Sequence, residues 1–245
     1  MALLMMIDIS DTTSTPLNIN SSVFNDTVLY GPQLYPSSVI FIGLYNPSLG
    51  SRANINFNNS VFTNTTVTLA GSCIYAFENQ IQGEVLNIFL DNILGYNNFR
   101  TKSDYSNTGT ELIKIVNTNG LHISGFNNFS YNFGSIFYVR STMIHLNGQL
   151  NIIGNNGYMG TGFTVQGLSY FLLSNGLNAA FINNTALTIG GAIYAVTDLD
   201  LDKSTCLFQN DTNNITNIKM TFIDNTASEA GNSIYSNTIY GCEAN

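Results

Sequence analysis

Residues 198 to 202 read "DLDLD", which sets Asp198, Asp200 and Asp202 on one face of a strand with Lys203 beside them. Three carboxylates and a cation are the groups used by a Ca²⁺-dependent polysaccharide lyase or, as an acid–base pair, by a glycosidase. Strand geometry argues against one shared ion, because successive outward side chains stand about 7 Å apart. The same alternation, with Leu199 and Leu201 inward, marks a half-buried strand that does no chemistry. The acidic run is therefore read as a solvated face. A carbohydrate-active β-helix enzyme of the lyase or glycoside hydrolase type is kept as the alternative function.

The other reactive residue types give less. His122 in "GLHISGF" and His145 in "STMIHLNG" lie in alternating stretches and read as solvent-facing strand residues. Neither has ligand-like spacing with Cys73, Cys206 or Cys242, so no metal site is expected. "GYMGTGF" at 157 to 163 lacks the Gly-Lys-Ser/Thr and the helix of a phosphate loop, and reads as a corner. No catalytic residue, cofactor-binding residue or metal ligand is assigned.

Composition narrows the class further. Charged residues make up 9 % of the 245 residues, against the usual quarter, and Asn alone supplies about one residue in seven. With 44 % hydrophobic residues the chain can bury a core, so it folds. The formal net charge is −8, and the seven Lys and Arg are scattered, so no cation cluster exists to neutralise phosphates. Nucleic acid is excluded as an expected partner. No apolar run approaches the roughly eighteen residues that span a bilayer as a helix, and "MALLMMIDIS" lacks the basic start and cleavage site of a signal peptide.

Eight Asn-x-Ser/Thr sequons occur, at Asn20, Asn25, Asn58, Asn64, Asn128, Asn183, Asn210 and Asn214, and are candidate glycosylation sites in a secreted context. Cys73 replaces a small residue and reads as a core filler. Cys206 and Cys242 flank the last repeat and, in an oxidising compartment, can close a loop of 36 residues. A disulfide there would be worth about 3–4 kcal/mol in the chain-entropy model.

These residues sit in a repeat. "FTNTTVTLAGSCIYA" (62–76), "FINNTALTIGGAIYA" (181–195) and "FIDNTASEAGNSIYS" (222–236) align without a gap. Looser copies are "VFNDTVLYG" (23–31), "FNNFSYNFGSIFYV" (126–139, with the corner at Gly134) and "IIGNNGYMGTGFTV" (152–165). The Phe intervals of 41 and 119 residues fit a unit of roughly 20–24 residues, two in the first and five or six in the second. Short alternating strands with polar uncharged turns at this period are what a parallel β-helix requires, since each coil stacks on the last at about 4.8 Å. Phe62, Phe181 and Phe222 should stack inward. Asn184 and Asn225 should hold one corner in an amide ladder, and Gly71, Gly190 and Gly231 the next. Ile74, Ile193 and Ile234 should then point inward and Tyr75, Tyr194 and Tyr235 outward, making the motif a coil with two corners. Asn64, Asn183 and Asp224 share one register position, which should be exposed.

The pairing of "FxxN" (Phe181–Asn184, Phe222–Asn225) with "GGAI" (Gly190, Gly191, Ala192, Ile193) resembles the repeats of the polymorphic outer-membrane protein family, in its eukaryotic surface-protein version. The copies reading "GNSI" at Gly231–Ile234 and "GSCI" at Gly71–Ile74, with Thr65 for the Asn, depart from it. The resemblance implies a right-handed parallel β-helix displayed outside the cell, in adhesion or as a scaffold. The expectation is one all-β, single-stranded β-helix domain over 1–245 with roughly ten coils, about 50 Å long. It should be part of a longer extracellular or cell-surface protein. It would be non-enzymatic, bind a cell-surface or matrix ligand, with carbohydrate as one class, and stack on neighbouring coils of the same chain.

Overall fold

The computed structural model describes residues 3–8, 16–29, 38–44, 52–68, 72–78, 85–101, 111–198, 206–210 and 217–237. Within them the regular elements are short parallel β-strands. Val85–Asp91 shows why they form: Leu86, Ile88 and Leu90 are fully buried, while the residues between them are half-buried. That alternation commits one face of each strand to a core.

Strands separated by a whole coil pair with each other. The first sheet has eight of them: Leu3–Asp8, Ser38–Leu44, Ser72–Glu78, Glu111–Val116, Ser135–Arg140, Phe163–Gly167, Ile193–Thr197 and Ile234–Ser236. The second has seven: Leu17–Asn20, Arg52–Asn58, Val85–Asp91, Gly120–Ser124, Met143–Leu146, Tyr170–Leu173 and Phe208–Asn210. The third also has seven: Val23–Asn25, Val61–Thr63, Leu94–Tyr96, Phe126–Ser130, Gln149–Ile153, Asn178–Ile182 and Lys219–Ile223. Two three-stranded sheets bridge the third to the first, one in the early coils and one in the late ones. The chain visits these faces in turn and returns each time beside its previous strand. This is a parallel β-helix, and parallel connections of this kind run right-handed as a rule.

Coil length differs from expectation. Ile113 pairs with Phe137, 24 residues on, whereas Ile193 pairs with Ile234, 41 residues on. Phe181 pairs directly with Phe222, so that interval is one coil and not two. From Phe62 to Phe181 the chain makes four coils, through Gly95, Phe129 and Ile152, and not five or six. The described first sheet accordingly has eight rungs, spanning about 34 Å at 4.8 Å each, rather than roughly ten over 50 Å. The strands and corners are constant, and the connections between them absorb the extra residues.

The core is a set of columns. In the third sheet the column reads Phe24, Phe62, Gly95, Phe129, Ile152, Phe181 and Phe222. Phe24 stacks on Phe62 and Phe181 on Phe222, with ring centroids 4.9 Å apart in each pair. Gly95 leaves the room that Phe129 fills, since a Cβ there would stand 2.6 Å from the Phe129 ring. The looser copy at 126–139 is thereby corrected: Phe129 is fully buried, whereas Phe126 is 44 % exposed and lies outside the column. In the first sheet Ile74 and Ile193 are fully buried, and Ile234 packs partly buried on the last coil. Tyr75 and Tyr194 stand half-buried on the opposite face, with Tyr235 exposed beyond them. The motif therefore spans the third-sheet strand, two corners and the first-sheet strand; the second sheet completes the coil.

Candidate functional surface

The corner after the Phe column is where the polar chemistry concentrates. Asn98, Asn132, Asn155, Asn184 and Asn225 are all buried there, stacked one per coil. The Nδ2 of Asn132 donates 2.9 Å to Asn155 Oδ1 in the next coil and 3.0 Å to Gly95 O in the coil before. Asn155 repeats this toward Asn184 Oδ1 at 3.1 Å and Phe129 O at 3.0 Å. Asn184 does so toward Asn225 Oδ1 and Ile152 O, both at 2.9 Å. Each Oδ1 also accepts the backbone N–H of the preceding asparagine, as Asn155 Oδ1 does from Asn132 N at 2.9 Å. An internal amide thus uses both donors and both lone pairs, which is the condition for burying it without penalty. Thr65 heads the ladder, its backbone N–H donating to Asn98 Oδ1 and its hydroxyl to Thr63 O.

A shorter hydroxyl ladder holds the corner between the first and second sheets. Thr118 N donates 3.1 Å to Thr142 Oγ1, and Thr142 N donates 3.0 Å to Ser169 Oγ.

Just before Thr65 and each corner asparagine, the chain turns through a left-handed backbone. Asn64, Asn97, Tyr131, Asn183 and Asp224 take φ between 49° and 56°, and Gly154, before Asn155, takes 64°. Asn and Asp tolerate this region better than other side-chain-bearing residues, which accounts for the Asn, Asn, Asp series at the exposed position read from the repeat. Gly190 and Gly231 take φ of 66° at the next corner, as expected, while Gly71 lies outside the described residues. Gly191 has a second reason: a Cβ there would meet Asn232 O at 1.9 Å and Thr226 O at 2.7 Å in the coil above. The "GTGF" run at 160–163 is the same corner one coil earlier, with Gly160 N donating 2.9 Å to Gly190 O.

The sequon asparagines fall into groups. Asn20, Asn25, Asn64, Asn183 and Asn210 are exposed, Asn58 and Asn128 are half-buried, and Asn214 lies outside the described residues. Asn58 Nδ2 donates 2.8 Å to Asn20 Oδ1, Asn64 Nδ2 donates 3.3 Å to Asn25 Oδ1, and Asn128 has a buried Oδ1. Cys73 is buried in the core, as a filler should be. Cys206 begins the short segment leading into Phe208–Asn210, and Cys242 lies outside the described residues. Of the acidic run, Asp198 is exposed and Asp200, Asp202 and Lys203 lie outside the described residues.

Two outward columns were not legible in the sequence. Phe89, His122 and His145 stack on the second sheet, with centroids 4.4 and 4.2 Å apart and rings within 12° of parallel. On the first sheet Lys114 places its ammonium 5.4 Å from the Tyr75 ring centre and 5.1 Å from that of Tyr138, a cation–π sandwich. Burial pushes the Tyr138 hydroxyl above its ordinary pKa, the Glu111 carboxylate adds to this, and Arg140 opposes it. Its hydroxyl donates 2.9 Å to Gln166 Oε1 on the next rung. Both columns depend on which strands become neighbours, which coil length decides.

Among the described residues no three of His, Cys, Asp and Glu come together as a metal-ligand set, and no helix is long and apolar enough to cross a membrane. The described surface is one of amides, hydroxyls and stacked rings, suited to many weak hydrogen bonds spread over several rungs. Comparison of the chain with family models, with curated proteins and with solved structures found no match.

Proposed function

We propose that this chain is a non-enzymatic β-helix rod of an extracellular or cell-surface protein, acting in adhesion or as a structural scaffold. The observation that carries the reading is the way its polar groups are used. Buried amides hold coil to coil, and outward amides stack in register, as Asn56 on Asn18 and Asn87 on Asn54 at 2.8 and 3.0 Å. A frame held this way is rigid, nearly uncharged and uniform along its length, which suits presentation rather than turnover. The FxxN and GGAI resemblance supports the same reading. Exposed sequon asparagines would carry glycans, Cys206 and Cys242 would pair, and the ligand would be a cell-surface or matrix component such as carbohydrate.

The test is expression in a secretory eukaryotic cell from the complete transcript, with an epitope tag and staining of intact cells. Surface staining together with glycosidase-sensitive mass supports the reading. Protein confined to the cytosol with unmodified sequons overturns it.

A further inference from the structure

Tyr131 is a bulky residue held in a left-handed backbone. Its φ is 56°, and the same turn in the other described coils uses Asp26, Asn64, Asn97, Gly154, Asn183 and Asp224. Those residue types tolerate the conformation, whereas a ring-bearing side chain in it is an outlier that the surrounding structure must hold in place. Packing offsets little of this strain. Tyr131 is 66 % exposed, and among the described residues its hydroxyl makes no hydrogen bond. The next coil makes room for the ring. Gly154 is the one glycine in this column of the described coils, and a Cβ there would stand 2.9 Å from Tyr131 Cε1 and 3.0 Å from Cδ1. The ring therefore lies across the Gly154 backbone with most of its surface toward solvent.

Three more aromatic residues stand around the same corner. Tyr96 pairs with Ser130, beside Tyr131, and Phe99 and Phe133 follow the corner asparagines of the same two coils. They are 38, 55 and 39 % exposed in that order. Taking about 200 Å² for a whole aromatic residue, the four expose about 400 Å², half of the roughly 800 Å² that each partner gives to a stable protein–protein contact. The patch suits a smaller ligand. Its rim is polar and uncharged: Asn97 and Asn156 are exposed beside it, and Asn156 is bridged to Phe133. No Asp, Glu, Lys or Arg occurs in residues 92–99 or 117–139, nor anywhere from Ser141 to Thr197.

An uncharged polyol matches both halves of such a surface. The C–H groups of a pyranose pack on the electron-rich faces of aromatic rings, and its hydroxyls exchange hydrogen bonds with carboxamides, which both donate and accept. A sulfated or uronic-acid glycan finds no cation here, and the net charge of −8 opposes its approach. No carboxylate lies among these residues, so a sugar held at the corner meets no acid or base to cleave it. We propose that the corner built on Tyr131 binds an uncharged glycan, with a pyranose stacked on the Tyr131 ring and the adjoining sugars reaching Asn97 and Asn156. The proposal rests on the reading of the rod as a non-enzymatic binder and gives that binder a site.

The test uses the 245-residue chain made without glycans in bacteria. It is titrated with hexasaccharides of glucose, mannose and N-acetylglucosamine, and with a heparin hexasaccharide as the anionic control, while NMR follows the backbone amides. At least one neutral glycan should shift the Asn97, Gly154 and Asn156 resonances at up to millimolar concentration, and heparin should not. Tyr131→Asn, which installs a residue type that other coils use at this turn, should weaken binding about tenfold. It should also raise the melting temperature by about 2–4 °C as the strain is relieved. Tyr131→Phe should bind as wild type does, because the ring and not the hydroxyl makes the stack. The proposal is overturned if no neutral glycan binds, if heparin binds as well as a neutral one, if Tyr131→Asn leaves binding intact or if Tyr131→Phe abolishes it. A Tyr131→Asn variant that melts below wild type also overturns it, since the ring would then be a packing element. So does self-association in sedimentation velocity that Tyr131→Asn removes, which would make the patch a protein contact. The cell-staining test is independent: a rod that reaches the surface and ignores glycans at this corner loses the site and keeps its proposed role.

Discussion

Replacing Asn155 by Ala removes one rung of the buried ladder and leaves the strands on either side untouched. Four hydrogen bonds disappear: those from Asn132 N and Nδ2 to Asn155 Oδ1, and those from Asn155 Nδ2 to Phe129 O and Asn184 Oδ1. At about 1 kcal/mol each, with the Asn132 N–H left buried and without its acceptor, the loss is about 4 kcal/mol. Urea lowers stability by about 2–3 kcal/mol per molar for a chain of this size, so the midpoint should fall by between about 1 and 2 M. The control is Asn56→Ala, whose amide makes a single exposed bond of 2.8 Å to Asn18 and which should shift stability by less than about 0.5 kcal/mol. Urea titration by circular dichroism measures both, and hydrogen exchange at the Asn132 amide reports the ladder directly. If Asn155→Ala behaves like Asn56→Ala, and Asn132 keeps its protection, the amide ladder does not hold the coils together and the reasoning fails.

Three further outcomes are expected. Gly191→Ala drives a Cβ to 1.9 Å from Asn232 O and should cost at least about 2–3 kcal/mol, whereas Gly176→Ala, with nothing within 4 Å but φ of 84°, should cost about 1 kcal/mol; thermal melts distinguish them. The Tyr138 pKa is raised in the folded state above the ordinary 10.0, so the unfolded chain loses its proton first and stability should fall as pH climbs through and beyond 10; melting temperature against pH shows this, and Tyr138→Phe should flatten it. In secreted protein, glycopeptide mass spectrometry should find occupancy at exposed Asn183 and none at half-buried Asn128.

The sequence revealed the frame because the frame repeats in residue type. Phe181–Asn184 and Phe222–Asn225 carry both the stacked ring and the corner amide, and they pair in register. Phe129 and Asn132 do the same, yet the nearby Phe126 offers a second frame three residues earlier, and only the buried corner decides between them. Asn98 and Asn155 are harder still, because Gly95 and Ile152 stand where the phenylalanine would announce them. A column needs its volume filled, and a larger neighbour or a different apolar residue can do that. The surface was least legible. Nothing local in "GLHISGF" or "STMIHLNG" says that His122 and His145 share a register position, since their separation is set by how long one coil happens to be.

Coils of 24 and 41 residues rise by the same single rung in this rod. Chain entropy makes that tolerance cheap, since lengthening a flexible connection from the shorter to the longer coil adds only about 0.5 kcal/mol to the cost of closing it. A side loop can therefore lengthen, shorten or change composition while the stacked phenylalanines and corner asparagines keep their register. The fold divides its sequence into a part that must repeat and a part free to vary, and new loop surfaces can arise in the second without disturbing the first.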